Sequence, residues 1–258
     1  MMNAFLMYGY FHDPYHIAMY LCSGYVKSSN PEYVVQKRER SMDINLVLDI
    51  LLTIDIVIKS LTSFQKDVDW VKDIPEIVKN YAIGSMAFDI ASTVPALIKD
   101  GNTQWFHLKL IRFIHVRIVY GWLSDMVRIC LNRFGLDKGS VEKSSHIINL
   151  IIYIFSAIHI IACAWIAVAM ITECSWLDQS QGGSCDSGIQ VNRSSDFDVY
   201  ITSFYWVITT LTTVGYGDYK GYTPSEYVLQ MGVEFLGIGI FSYLMGSINN
   251  LVGSEQTL

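Results

Sequence analysis

An uninterrupted apolar run from Ile147 to Ile171 places the strongest constraint on how this chain folds. Its 25 residues contain only Asn149, Ser156 and His159 as polar interruptions, and no Asp, Glu, Lys or Arg. About 20 apolar residues in a helix cross the hydrocarbon core of a bilayer, so the run predicts a transmembrane helix. The composition agrees, because 16% of the residues are charged, whereas soluble domains average about 25%.

Weaker apolar stretches predict further spans at Ile44–Phe64, Tyr81–Ile98, Trp105–Leu123 and Tyr227–Val252. The first stretch, Asn3–Cys22, is broken by polar residues and Pro14, and we expect it to be the outer end of a span whose beginning is missing. The net charge of −6 argues against a nucleic-acid partner. We find no nucleophile–base pair, metal-ligand cluster or phosphate loop that predicts an enzyme.

The apolar stretch Asp198–Leu211 and the sequence TTVGYGD after it form the most unusual part of the chain. This stretch has 14 residues and is too short to cross a bilayer, which predicts a re-entrant half-helix. Irregular backbone at membrane depth is tolerated where it is buried in protein or lines a water-filled path. Gly215 and Gly217 permit backbone angles that orient successive carbonyls alike. Such carbonyls replace the hydration shell of an ion, and four copies around an axis complete the pore.

The motif from Thr213 to Gly217 is the TVGYG filter motif of potassium channels. The sequence therefore resembles six-span voltage-gated-like potassium channels, in the branch that mostly carries a cytoplasmic cyclic-nucleotide-binding domain (the ether-à-go-go, plant inward-rectifier and ciliate-type channels). Four other segments share this resemblance: DILLTIDIVIKSLTSF, FDIASTVP, AIHIIACAW and LMGSINNLV. The chain has no room for the cytoplasmic domain, so we expect no cyclic-nucleotide gating from these residues.

The resemblance implies an all-α membrane protein with a voltage-sensor-like four-helix domain, whose first helix is truncated, and a two-helix pore domain. The expected parts are the sensor-like domain 1–125, a cytoplasmic-side linker 126–145 and the pore domain 146–258. Within the pore domain they are the outer helix 146–172, the turret 173–197, the re-entrant pore helix and filter 198–218, and the inner helix 225–252.

The resemblance also implies the roles of the filter residues, with K⁺ as the permeant ion and the only cofactor. The expected ion-binding residues, acting chiefly through the first four carbonyls, are Thr213, Val214, Gly215, Tyr216 and Gly217. Trp206 is expected to hydrogen-bond Tyr216 behind the filter, and Asp218 to be the acid just outside it. Thr209 stands where some of these channels place a Glu that pairs with that acid.

Basic residues recur at every third position in LKLIRFIHVRI, which predicts one slowly drifting stripe on a helix. They are Lys109, Arg112 and His115, with Arg117 close behind. Acids inside the neighbouring predicted spans are the expected counter-charges; they are Asp49, Asp55 and Asp89. The resemblance implies a voltage sensor in which the basic residues pass Asp55 and Asp89. Because relatives usually carry five or more basic residues there, we expect weak or absent voltage gating.

Several smaller features leave alternatives open. Cys174 and Cys185 lie in one polar loop and form a disulfide if it faces an oxidising compartment, or remain free thiols. Asn192 begins an Asn-Arg-Ser pattern for glycosylation. Gly237 and Gly239 in the last span provide either a gating hinge or close helix packing.

The leading hypothesis is a potassium-selective channel subunit that works as a homotetramer or heterotetramer in membrane lipid, in the plasma membrane rather than an organelle. A first alternative is a non-conducting structural subunit, present as one copy in a larger membrane complex. A second is a non-selective cation channel, although that class characteristically lacks the pair Tyr216–Gly217.

Overall fold

The computed structural model describes residues 2–25, 46–47, 49–66, 69–98, 103–172, 174–177 and 196–253. Its helices are α1 (Met2–Tyr25), α2 (49–61), α3 (Ile74–Ile83), α4 (Met86–Ile98), a 3-10 helix (Thr103–His115), α5 (Val116–Arg133), α6 (Lys138–Ile171), α7 (Asp196–Leu211) and α8 (Pro224–Gly253). The predicted all-α class is confirmed, with one short hairpin in addition.

The chain divides into two compact units. Unit 1 comprises Met1–Asp13 and Lys27–Trp122, and unit 2 comprises Pro14–Val26 and Leu123–Leu258. The predicted linker 126–145 is helical on both sides of residues 134–137, since α5 continues to Arg133 and α6 begins at Lys138.

The hairpin lies in unit 1 and consists of β1 (Phe64–Lys66) and β2 (Asp69–Val71). The strands are antiparallel, with Phe64 opposite Val71 and Lys66 opposite Asp69. The sequence analysis did not predict the hairpin, because strands of three residues are too short to show an alternating apolar pattern.

The predicted span Tyr81–Ile98 is interrupted and therefore is not one helix. The backbone N–H of Gly84 donates to the carbonyls of Asn80 and Tyr81, both at 3.1 Å, which closes the last turn of α3. The helix resumes at Met86 as α4. Gly84 has a φ of −82° and a ψ of −101°, so the backbone leaves the helical conformation at this residue.

The basic segment Thr103–His115 forms a 3-10 helix instead of the first part of an α-helical span. A 3-10 helix has three residues per turn, so side chains three positions apart lie directly above one another. The stripe of basic residues is therefore straight and does not drift. Runs of this type longer than 3–4 residues are uncommon, and this one of 13 residues packs along α4.

Two helices among the described residues are long and apolar enough to cross a membrane: Lys138–Ile171 and residues Pro224–Asn249 of α8. The first contains the predicted span Ile147–Ile171. Its first turn is capped by Asp137, whose carboxylate accepts a hydrogen bond from Ser140 N at 3.1 Å. This bond with Ser140 holds the pKa of Asp137 below its ordinary value.

The core of unit 2 is built around three tryptophan rings. Trp165 of α6 stacks on Trp206 of α7, with ring centroids 3.8 Å apart and planes 7° apart. Trp176, which follows α6, stacks on the ring of Trp165, with the two ring centroids 5.8 Å apart. Val207 and Val233 fill the space between α7 and α8 in the same core. Helix α7 is thus held against α6 and α8, and this fixes the position of the TTVGYGD segment at its end.

Candidate functional site

The TTVGYGD segment turns back directly after α7. The backbone N–H groups of Val214 and Gly215 both donate to the carbonyl of Thr209, at 2.9 and 3.0 Å. Thr209 is buried in the last turn of α7, and its hydroxyl donates to the carbonyl of Trp206. Two successive N–H groups of the segment therefore point towards the carbonyl end of this helix.

The backbone angle φ alternates in sign along the segment. It is positive at Thr213 (60°), Gly215 (50°) and Gly217 (76°), and it is negative at Val214 and Tyr216 between them. Alternation between right- and left-handed conformations turns successive N–H groups to one side of the chain. The segment is therefore neither a regular helix nor a regular strand.

The outer side of the segment is not covered by its own chain. Val214 is 52% exposed and Tyr216 is 71% exposed, although both side chains are large and apolar in part. Within the described part of one chain, Trp206 is not hydrogen-bonded to Tyr216, and its ring packs instead in the core against Trp165. The expected bond between Trp206 and Tyr216 is therefore not made inside a single chain.

Asp218, just after the segment, is held by two hydrogen bonds. Its Oδ2 accepts from the hydroxyl of Tyr205 at 2.9 Å, and its Oδ1 accepts from the backbone N–H of Tyr219 at 3.0 Å. Tyr205 lies in α7, so this bond joins that helix to the residue just after Gly217. The sequence analysis missed Tyr205, although its place next to Trp206 and near the motif was a usable signal.

The basic stripe in unit 1 faces a row of buried carboxylates. Lys109 Nζ lies 2.8 Å from Asp49 Oδ2, and Arg112 Nη2 binds the other oxygen of Asp49. Arg112 Nη1 lies 2.9 Å from Asp13 Oδ2. Lys109, Arg112, Asp49 and Asp13 are each less than 10% exposed. Asp13 was not predicted as a counter-charge, although an acid inside an apolar stretch is a usable signal of a functional residue.

His115, the third residue of the stripe, belongs to a second group of charges. Its Nε2 contacts Asp89 Oδ1, and Asp89 Oδ2 accepts from the hydroxyl of Tyr81. Lys59 Nζ lies 3.3 Å from Asp89 Oδ2 and 2.9 Å from Asp55 Oδ2. Among the described residues, Asp55 therefore pairs with Lys59 and not with the stripe, because these two lie one turn apart on α2.

The charge cluster consists of these stripe residues with their carboxylates and Lys59, and its members surround a small cavity. The cavity between Asp55, Lys59, Asp89, Arg112 and His115 measures about 10 Å³, which is room for about one water molecule. Arg117 lies outside it, exposed in the first turn of α5. A charge in this cluster is thus balanced mainly by protein groups.

Two predicted site residues lie outside the described residues, namely Cys185 and Asn192. Cys174 is disulfide-bonded, with a positive φ of 61°. The pairing of Cys174 with Cys185 and the glycosylation of Asn192 stay predictions.

Gly237 lies where α8 crosses the end of α7. A Cβ atom at this position would lie 3.2 Å from both the Cα and the carbonyl oxygen of Leu211. A Cβ at Gly239 meets nothing within 4 Å in the same chain. Close approach of two backbones therefore requires glycine at position 237, next to the start of the motif, while a gating hinge at either glycine stays a prediction.

The variant Gly237→Ala is expected to be destabilised, because its methyl group overpacks against Leu211 at a typical penalty of about 1–3 kcal/mol. Gly239→Ala is the matched control. It gains the helix preference of alanine, about 1 kcal/mol, and has open space around it. Thermal unfolding of the purified variants in detergent measures the difference, and equal unfolding temperatures for the two variants contradict the packing role of Gly237.

Comparison with known proteins supplies an independent finding. The sequence model of the family "Ion transport protein" matches residues 15–257. The chain is 28% identical over 228 residues to potassium channel KAT4 of Oryza sativa subsp. japonica, covering 83% of this chain and 36% of that protein. It is 30% identical over 231 residues to potassium channel KAT1 of the same plant, covering 82% and 29%. It is 25% identical over 224 residues to the human voltage-gated inwardly rectifying potassium channel KCNH6, covering 81% and 22%.

Proposed function

Because the chain belongs to the ion transport protein family, whose members are integral membrane proteins, we propose that it is a pore-forming subunit of a potassium-selective channel. The chain spans 36% of the length of potassium channel KAT4 of Oryza sativa subsp. japonica. The proposal therefore concerns the membrane part, with K⁺ as the permeant ion.

The observation that carries this proposal is the alternation of φ from Thr213 to Gly217, together with the two N–H groups directed at Thr209. The carbonyls of Thr213, Val214, Gly215 and Tyr216 then form one row, the arrangement that replaces the hydration shell of K⁺. The row begins at the carboxyl end of α7. A helix carries a partial negative charge at this end, which favours a cation beside Thr212 and Thr213.

We propose that four chains, identical or related, surround the pore axis. Helix α8 supports this assembly, because its apolar side chains are largely uncovered in one chain. Those more than 50% exposed include Val228, Met231, Phe235, Leu236, Ile238, Phe241 and Tyr243. An apolar surface of this extent needs lipid or a neighbouring protein to cover it. The exposed Tyr216 ring is expected to be covered by the neighbouring subunit in the same way.

We expect weak voltage dependence from this channel, because only Lys109 and Arg112 are permanently charged members of the straight stripe. If both move in four subunits, the total is about eight elementary charges, each worth about 2.3 kcal/mol per 100 mV across the full field. His115 adds a charge only when it is protonated. The limiting slope of the conductance–voltage curve measures the total, and a wild-type value above about ten contradicts the prediction.

The variant His115→Arg tests this assignment directly. It places a third permanent cation on the same line, so the total is expected to rise towards about twelve charges. Arg117→Gln is the matched control, because Arg117 is exposed and lies off the line; its slope is expected to equal that of the wild type. An unchanged slope in His115→Arg contradicts the role of the stripe.

The experiment that tests the function itself measures subunit number and ion flux on one purified sample in lipid vesicles. A tetramer with K⁺ flux and a reversal potential that follows the K⁺ gradient supports the proposal. Equal permeability to Na⁺ and K⁺ favours the non-selective channel. A single copy without flux, recovered within a larger membrane complex, favours the structural subunit. Separation of the cell membranes before the protein is solubilised tests whether the plasma membrane or an organelle membrane contains it.

A further inference from the structure

Glu226 has the most buried charged side chain in the part of the chain that the structure describes. Its exposure is 0%, and it lies in the first turn of α8. A buried carboxylate is normally paired with a cation, because removal of its hydration is unfavourable. Within the described ranges, Glu226 forms no ion pair, and its oxygens are satisfied by backbone N–H groups instead.

The two carboxylate oxygens of Glu226 bind two distant segments of the chain. Oε1 accepts from the backbone N–H of Trp176 at 2.9 Å. Oε2 accepts from the N–H groups of Tyr222 and Thr223, at 2.8 and 3.0 Å. The hydroxyl of Thr223 accepts in return from Glu226 N at 3.4 Å, which completes a capping box at the start of α8.

The first segment is tied to the pore helix. Trp176 stacks on Trp165, and Trp165 stacks on Trp206 of α7. The edge of the Trp176 ring also meets the ring of Tyr219, directly after Asp218. Because each ring contacts the next, a shift of Trp176 is expected to reach α7 and the end of the TTVGYGD motif.

The second segment is the return of the chain from the motif to α8. A Cβ atom at Gly221 would lie 3.1 Å from Glu226 Cβ, so the return segment lies directly against this side chain. Gly221 N also donates to Gln230 Oε1, one turn further along α8, at 3.3 Å. Glu226 is therefore the side chain that joins the return segment to the segment after α6.

We propose that Glu226 is a positioning residue for ion selectivity, which holds the outer end of the filter at a fixed distance from the outer helix α6. The inference rests on the proposed function, because selectivity is defined only for a conducting pore. Glu226 does not touch the ion path through the carbonyl row. It acts through the return segment and through Trp176, which hold both sides of the motif.

Two variants separate this positioning role from a simple effect of charge. Glu226→Gln keeps the length of the side chain and one accepting oxygen, but its NH2 group only donates and cannot accept from an N–H group. Glu226→Asp keeps the charge, but its shorter side chain does not reach both segments. If geometry matters, both variants lose at least one link, whereas an effect of charge alone leaves Glu226→Asp like the wild type.

The test measures the Na⁺/K⁺ permeability ratio from reversal potentials in lipid vesicles, with the tetramer fraction measured on the same samples. Both variants are expected to raise the ratio about tenfold, which corresponds to a loss of about 1.4 kcal/mol in the discrimination between the two ions. Ser225→Ala is the control: this exposed neighbour contacts the hydroxyl of Thr223, at 3.3 Å, and the variant keeps all three bonds to the Glu226 carboxylate, so it is expected to keep the wild-type ratio. If a variant assembles poorly, mixed assemblies with wild-type copies are measured instead, and an intermediate ratio is expected.

A wild-type ratio in Glu226→Gln, in Glu226→Asp or in the mixed assemblies overturns the inference and leaves the channel proposal intact. If the wild-type protein shows no K⁺-selective flux, both the channel proposal and the inference about Glu226 are overturned.

Discussion

Replacement of Gly217 by alanine is expected to abolish K⁺ flux while the protein still assembles. Gly217 has a φ of +76°, a conformation that disfavours an L-residue with a Cβ by about 1–2 kcal/mol. In a tetramer the four copies share one carbonyl row, so the penalties add to at least about 4 kcal/mol. This corresponds to a loss of about three orders of magnitude in the population with the conducting geometry. K⁺ flux into vesicles, normalised to the amount of tetramer, measures the loss.

Gly135→Ala is the matched control for this prediction. Gly135 has almost the same backbone angle, +72°, and a Cβ at either glycine meets nothing within 4 Å in its own chain. It ends α5, where its N–H donates to the carbonyl of Asn132, far along the chain from the motif. Both substitutions therefore have a similar conformational penalty, and only Gly217→Ala is expected to lose K⁺ flux. Equal flux in the two variants contradicts the assignment of the filter.

Asp49→Asn is expected to give the largest loss of stability in unit 1. Asp49 binds Lys109 through one oxygen and Arg112 through the other, and all three side chains are buried. Removal of one partner from a buried charge pair typically destabilises a protein by about 3–5 kcal/mol, because a buried charge loses compensation. The apparent unfolding temperature in detergent measures this loss.

Two comparisons make the Asp49 prediction specific. Asp73→Asn changes an exposed acid of the same unit whose side chain forms no capping bond, and its effect is expected to stay within about 0.5 kcal/mol. The double variant Asp49→Asn with Lys109→Met removes both charges of one pair, so its loss is expected to be smaller than the sum of the single losses. Additive losses contradict a direct interaction between Asp49 and Lys109.

Local sequence properties alone predicted a long apolar helix and a short helix before the TTVGYGD segment. The run Ile147–Ile171 lies inside α6, and the short stretch before TTVGYGD forms α7, which at 16 residues is about 24 Å long. Both predictions rest on local properties: apolar length for a span, and glycines for a turn. The capping pattern Thr-Pro-Ser-Glu at 223–226 is equally local, and it marks the start of α8 although the sequence analysis did not use it.

The partners of the charged residues followed from the tertiary structure and not from the sequence. The spacing of Lys109, Arg112 and His115 indicated a stripe, but only the packed unit selects the 3-10 form, brings Asp13 to Arg112 and places Lys59 beside Asp89. Likewise, the sequence contains Glu226 and Trp176 fifty positions apart, and nothing local relates them. A helix or a turn depends on neighbours within a few residues, whereas a buried charge is stabilised by whichever groups the fold brings within hydrogen-bond distance.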